Sequence, residues 1–227
     1  MSDFSSMWND PKSSKFIENR IDFMNTRRRR PIIILVDTSG SMRGYEGLLK
    51  STIVKLYDEI LSDRTARASV ELSILSFNDD IEILEPLREI GQQEASGRDL
   101  DFHCHGGALI GLALKTAISQ LNYRLQAYRA HIPTIRHYAP TIFFISDGKS
   151  KCCDDGVIPY ENQAMIEVKK YIRKEVADNR LVVVSVEVGD SVNHSLMTEL
   201  TGRTDDKFVE YVNDFIHSLK YFTILTS

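Results

Sequence analysis

The chain has 227 residues, 42% of them hydrophobic and 26% charged, with a net charge of −4. That size suits one substantial domain with a sizeable core, and the acidic balance argues against general affinity for nucleic acid. Apolar runs such as "IIILV" and "LVVV" fall far short of the roughly 18 residues of a membrane span.

The polar opening "MSDFSSMWNDPKSSK" has no hydrophobic stretch of the secretion-signal kind, so a cytoplasmic location is expected. Residues 1–30 are polar, end in "RRRR" and read as an N-terminal arm. The domain is expected from Pro31 to the C-terminus, 31–227. "PIIILVD" is its first strand. In "YEGLLKSTIVKLYDEILS", Leu49, Ile53, Leu56 and Ile60 recur at helical steps. "SVELSILSF" alternates like a strand, and "NDD" supplies turn chemistry before "IEIL", so residues 69–84 read as a hairpin with an antiparallel edge strand.

The stretch 86–106 looks irregular, as functional loops of that length often are. A helix with Leu109, Leu112, Ala113, Ala117 and Leu121 on one face follows, then strand "TIFFIS", a helix carrying Met165, Val168, Ile172 and Val176, and strand "LVVVSVEV". Helices near 193–201 and 211–224 flank a short strand at "KFVEY". Alternating helices and near-continuous apolar strands imply an α/β fold: a doubly wound, mostly parallel Rossmann-like sheet with one antiparallel edge strand.

Such sheets bind ligands beyond the carboxyl ends of their strands, where strand order reverses. With order 3-2-1-4-5, Asp37 in "VDTSGSM" and Asp147 in "FFISDGKS" end neighbouring strands and face one crevice. Helix capping needs one short polar side chain, whereas Asp37, Thr38, Ser39 and Ser41 stand together here. Two carboxylates beside serine hydroxyls make a hard oxygen shell suited to Mg²⁺ or Mn²⁺, which keeps some of its waters.

"DTSGS" fits the D-x-S-x-S signature of von Willebrand factor A (VWA) domains, and "HGGALIGLALKTAI", "FFISDGKS" and "VVVSVEVGDSVNHSLMTELTG" resemble the family's later motifs from Pro31 onward. Stand-alone bacterial members from tellurite-resistance and stress gene clusters are the type it is most similar to. The resemblance implies a metal-ion-dependent adhesion site (MIDAS) that binds a divalent cation and, through it, a partner's carboxylate. Asp37, Ser39, Ser41 and Asp147 match that motif; the family's second-loop threonine is replaced by Ala108, a loss that water can fill. It implies further a non-catalytic adaptor or scaffold whose partners include a protein kinase, phosphatase or ATPase encoded nearby.

Rival readings have residues of their own. An aspartic protease needs two proton-sharing aspartates on a mostly β fold. A P-loop would require glycine at Phe143. A metal-dependent phosphohydrolase of the aspartyl class would need an acid where Ser39 stands, and a metal-free interaction surface is a third reading. His103, Cys104 and His105 on one loop, with Cys152 and Cys153 on another, raise a zinc or redox site, although no zinc spacing is present. The odd cysteine count excludes a disulfide framework. The arginine run reads as a solvated flank or partner contact.

Overall fold

The apolar run after the arginines forms the central strand, β1 (Arg30–Asp37), buried at every position. Its alternation feeds two separate cores. Ile32, Ile34 and Val36 face one, whereas Ile33 and Leu35 face the other. The computed structural model describes residues 25–93, 99–150 and 159–212. Around β1 it places α1 (Glu46–Ser62), α2 (Arg64–Ser69), β2 (Val70–Phe77), β3 (Ile81–Glu89), α3 (Ile110–Ala130), β4 (Thr141–Ser146), α4 (Pro159–Ala177), β5 (Val182–Glu187), α5 (His194–Leu200) and β6 (Val209–Tyr211).

The sheet order is β3-β2-β1-β4-β5-β6, with β3 antiparallel to β2 and every other pair parallel. This is the expected doubly wound sheet, with "KFVEY" supplying β6 at its edge. Leu49, Ile53, Leu56 and Ile60 of α1 cover one face, and α3, α4 and α5 cover the other. The expected helix beyond 212 lies outside the described residues.

Three differences from the sequence reading have physical causes. First, β3 continues past Leu84 to Glu89 because Glu85 and Leu87 turn inward, and Ser73 Oγ donates to the Glu85 carbonyl at 2.8 Å. Secondly, Asp63 ends α1 and starts α2, its carboxylate accepting from the amides of Thr65 and Ala66. Thirdly, Leu112 is not on the buried stripe of α3: Ile110, Ala113, Leu114, Ala117, Ile118 and Leu121 are.

Helix α3 has no cap from its own sequence. Glu161, on α4 and 1% exposed, supplies one, accepting from the Gly111 amide at 2.5 Å and the Leu112 amide at 2.9 Å. The two helices meet closely enough that a Cβ on Gly111 would lie 2.6 Å from the Met165 backbone nitrogen.

The arginine run is not a uniform solvated flank. Arg29 is fully buried, with Nη1 2.5 Å from Glu89 Oε1 and Nε 3.8 Å from Glu71 Oε1. Glu71 also meets Arg124 Nε at 2.7 Å and accepts from the Tyr128 hydroxyl at 2.5 Å. Burial raises the Glu71 carboxyl above its ordinary range, with Arg124 pulling it back down. Arg29 exchanges backbone hydrogen bonds with Arg136 and Tyr138, and Arg28 and Arg30 stack on the Tyr138 ring. Arg29 and Arg30 thus pack with the domain: the Arg29 charge is met by Glu71 and Glu89, and Arg30 lies on the Tyr138 ring.

Candidate metal centre

Because β1 and β4 are neighbours with Val36 opposite Ile145, Asp37 comes level with Ser146, and Asp147 lies one residue further on. The geometry is built from both strand ends. Asp37 Oδ1 accepts from the Ser39 amide at 2.8 Å, and Oδ2 accepts from Ser146 Oγ at 2.6 Å. Burial pushes the Asp37 carboxyl up to about 6, opposed by the hydrogen bonds from Ser146 and Ser39 and reinforced by the charge of Asp147.

After Asp37 the chain enters a single 3-10 turn, Gly40–Met42, led by Ser39 in extended conformation. That turn sets Ser39 Oγ 3.1 Å from Ser41 Oγ. Thr38 leaves the site, its hydroxyl donating to the Phe77 carbonyl. The second loop is stitched alongside: the His105 amide donates to the Thr38 carbonyl at 2.9 Å and the Gly40 amide to the Gly106 carbonyl at 3.0 Å. Gly106 has φ +68°, and the Asp79 carboxylate occupies the place a Cβ would take, so glycine is needed there twice over.

Asp147 is 3% exposed. Its Oδ1 accepts from the Lys149 amide at 3.0 Å. Its Oδ2 receives no hydrogen bond; Lys149 Nζ stands 3.2 Å away, a charge contact without hydrogen-bond alignment. Ser146 holds the turn together by donating to Asp37 while accepting from the Gly148 amide. Sequence reasoning gave Ser146 no part in the site. The available signal was a hydroxyl directly before "DG" at a strand end, level with the first aspartate.

Asp37, Ser39, Ser41 and Asp147 thus come from two adjacent strand ends, and an oxygen-only donor set of this kind fits a hard divalent ion. The buried Oδ2 of Asp147, lacking a hydrogen bond, is the observation that supports the fit. Ala108 adds no oxygen: it is 1% exposed and packs in the core beneath α3. Among the described residues no group of three or more His, Cys, Asp and Glu side chains could hold a metal. His103 is exposed near Asp101, His105 lies beside Asn78, and burial pushes the Cys104 thiol up to about 12, which keeps it protonated. Cys152 and Cys153, the rest of the expected zinc set, lie outside the described residues.

The sequence model of the von Willebrand factor type A domain matches residues 32–223. The chain belongs to this family. No curated protein matches it by sequence. Among solved structures, this VWA chain is similar to proximal thread matrix protein 1 of the mussel byssus, including a form with a zinc-occupied MIDAS motif (17% identity, TM-score 0.56, 86% of this chain and 47% of that one). It is also similar to the manganese-loaded TRAP protein of Plasmodium vivax (20% identity, TM-score 0.58, 87% and 74%) and to a von Willebrand factor type A protein from Catenulispora acidiphila (16% identity, TM-score 0.54, 86% and 42%). The chain spans about half the length of the mussel protein. At these identities the likeness establishes the VWA fold. No helix among the described residues is long and apolar enough to cross a membrane.

Proposed function

We propose that this VWA domain is a metal-assisted protein-interaction module, in which Asp37, Ser39, Ser41 and Asp147 hold a divalent cation of the Mg²⁺ or Mn²⁺ type and a partner's acidic side chain completes the shell. The observation that carries the reading is the pair of buried strand-end carboxylates beside two touching serine hydroxyls. Neutral hydroxyls leave a bound divalent ion with enough positive charge to attract a further carboxylate. The manganese and zinc named for the TRAP and mussel proteins support a metal in the equivalent crevice here.

In this reading the residues divide the work. Ser146 and the Ser39 amide fix Asp37 from two sides, and the 3-10 turn presents both serines together. Asp147 offers the oxygen that lacks a hydrogen bond. Water fills the position left by Ala108, so affinity is modest. The role is adaptor or scaffold rather than enzyme: Ser39 occupies the place where an aspartyl phosphohydrolase would need its general acid. The resemblance to bacterial stress-cluster members directs the partner search to a cytoplasmic kinase, phosphatase or ATPase encoded nearby.

Calorimetric titration with Mg²⁺ and Mn²⁺ tests the site, with Asp37→Ala as control. Binding by the wild type and none by the variant is expected; silence at millimolar metal in both would retire the reading. Capture of a candidate partner should be lost in chelator and in Asp37→Ala. Equal capture under all conditions would favour a metal-free surface, and Mg²⁺-dependent phosphate-ester hydrolysis abolished by Asp37→Ala would favour the enzyme.

A further inference from the structure

The third loop carries its own cation. Lys149 addresses both oxygens of Asp147, its backbone amide to Oδ1 at 3.0 Å and its ammonium 3.2 Å from Oδ2. The other carboxylate of the crevice has no comparable opening, since both Asp37 oxygens already accept hydrogen bonds from Ser39 and Ser146. Any ion entering between the strand ends therefore meets Lys149 at the oxygen it would most readily take.

We infer that Lys149 is a tethered competitor for Asp147, so that the crevice loads a divalent ion only when the ammonium is displaced or its charge removed. This rests on the metal reading of the same crevice. A lysine ammonium is a compact point charge on a flexible stem. It cannot share one carboxylate oxygen with a divalent cation without strong repulsion. The exposures suit an exchange: the Lys149 side chain is 48% exposed and the Asp147 side chain 5%, so the lysine can swing into water while the carboxylate stays fixed.

Nearby groups reinforce the assignment. Arg43, the basic side chain after the serine turn, donates to the Cys104 carbonyl and is committed elsewhere. Ala108 withholds the oxygen that would help a metal outbid the lysine. A site with a full ligand set would override a half-exposed ion pair, whereas one with a missing ligand is sensitive to it. Lys149 thus sets the metal concentration at which the crevice becomes competent to bind a carboxylate.

The test is calorimetric titration of the full chain with MnCl₂ at pH 7.5, comparing wild type, Lys149→Gln, Lys149→Arg and Asp147→Asn. Lys149→Gln should bind about two- to fivefold more tightly than wild type, the range a partly exposed ion pair can supply. Lys149→Arg should stay near wild type and Asp147→Asn should lose binding. In parallel, the rate at which an amine-reactive reagent labels wild-type Lys149, read by mass spectrometry, should rise several-fold at saturating Mn²⁺. Equal or weaker binding by Lys149→Gln, or labelling unmoved by metal while wild type binds it, overturns the lysine inference and leaves the metal site standing. Absence of binding in all four proteins overturns both.

Discussion

Replacing Glu71 by Leu would leave the guanidinium groups of Arg29 and Arg124, at 0% and 2% exposure, facing one carboxylate of the original pair. An orphaned buried charge costs about 3–5 kcal/mol, and the Tyr128 hydroxyl loses its acceptor in the same step. Against a typical domain stability of about 5–15 kcal/mol, that is a large fraction. Urea unfolding at pH 7 should show the midpoint falling by about 2 M with little change in slope. The decisive comparison is Glu71→Leu with Arg124→Leu. Each single change unbalances the cluster by one charge, whereas the double change leaves Arg29 paired with Glu89. The double variant should therefore be at least ~2 kcal/mol more stable than the sum of the single losses implies. Additive losses, or a Glu71→Leu cost under about 1 kcal/mol, would refute the view that charge matching inside the sheet holds this end of the domain.

The same cluster sets a limit to truncation: a chain starting at Pro31 loses Arg29 and should have a clearly lower urea midpoint than one starting at Asn25. In chelator, the Asp37 carboxyl, raised from an unfolded value near 3.8 to about 6, gives the folded state an extra proton between those limits. Its contribution to stability is full below pH 4 and falls by ~3 kcal/mol as pH rises through 6; Asp37→Asn should flatten that fall in denaturation curves across pH 4–8. Gly111→Ala forces a Cβ against the α4 backbone, so thermal unfolding should report a loss of about 1–3 kcal/mol, as overpacking with backbone displacement does.

The fold was legible because the signals were periodic. Ile32 to Val36 and Leu49 to Ile60 announce a buried strand and its covering helix, and the alternation of such elements points to a doubly wound, mostly parallel sheet. The site was legible as a pair of strand ends, Asp37 and Asp147, with two serines beside one of them. What the sequence concealed depends on contacts between residues distant along the chain. Arg29 looks like any member of a basic run until Glu71 and Glu89, 42 and 60 positions later, prove to surround it. Ser146 looks like strand filler until the β1–β4 register brings it level with Asp37. Lys149 reads as a turn residue, and only the path of its side chain turns it toward Asp147. Glu161 resembles an ordinary surface acid of α4, but it caps a different helix.

The shape of β3 carries a consequence for how this molecule meets others. Its pairing with β2 shifts register between Leu72 and Ile74 and again between Ile74 and Leu75, and Pro86 removes one amide from the strand. Glu82 and Arg88 add charge along its outer side. An incoming strand would find neither an even row of donors and acceptors nor an uncharged rim, so templated growth of the sheet into fibres or swapped pairs is suppressed at this side. Recognition by backbone zippering is therefore closed off along β3, which turns a visiting strand away from this edge of the sheet.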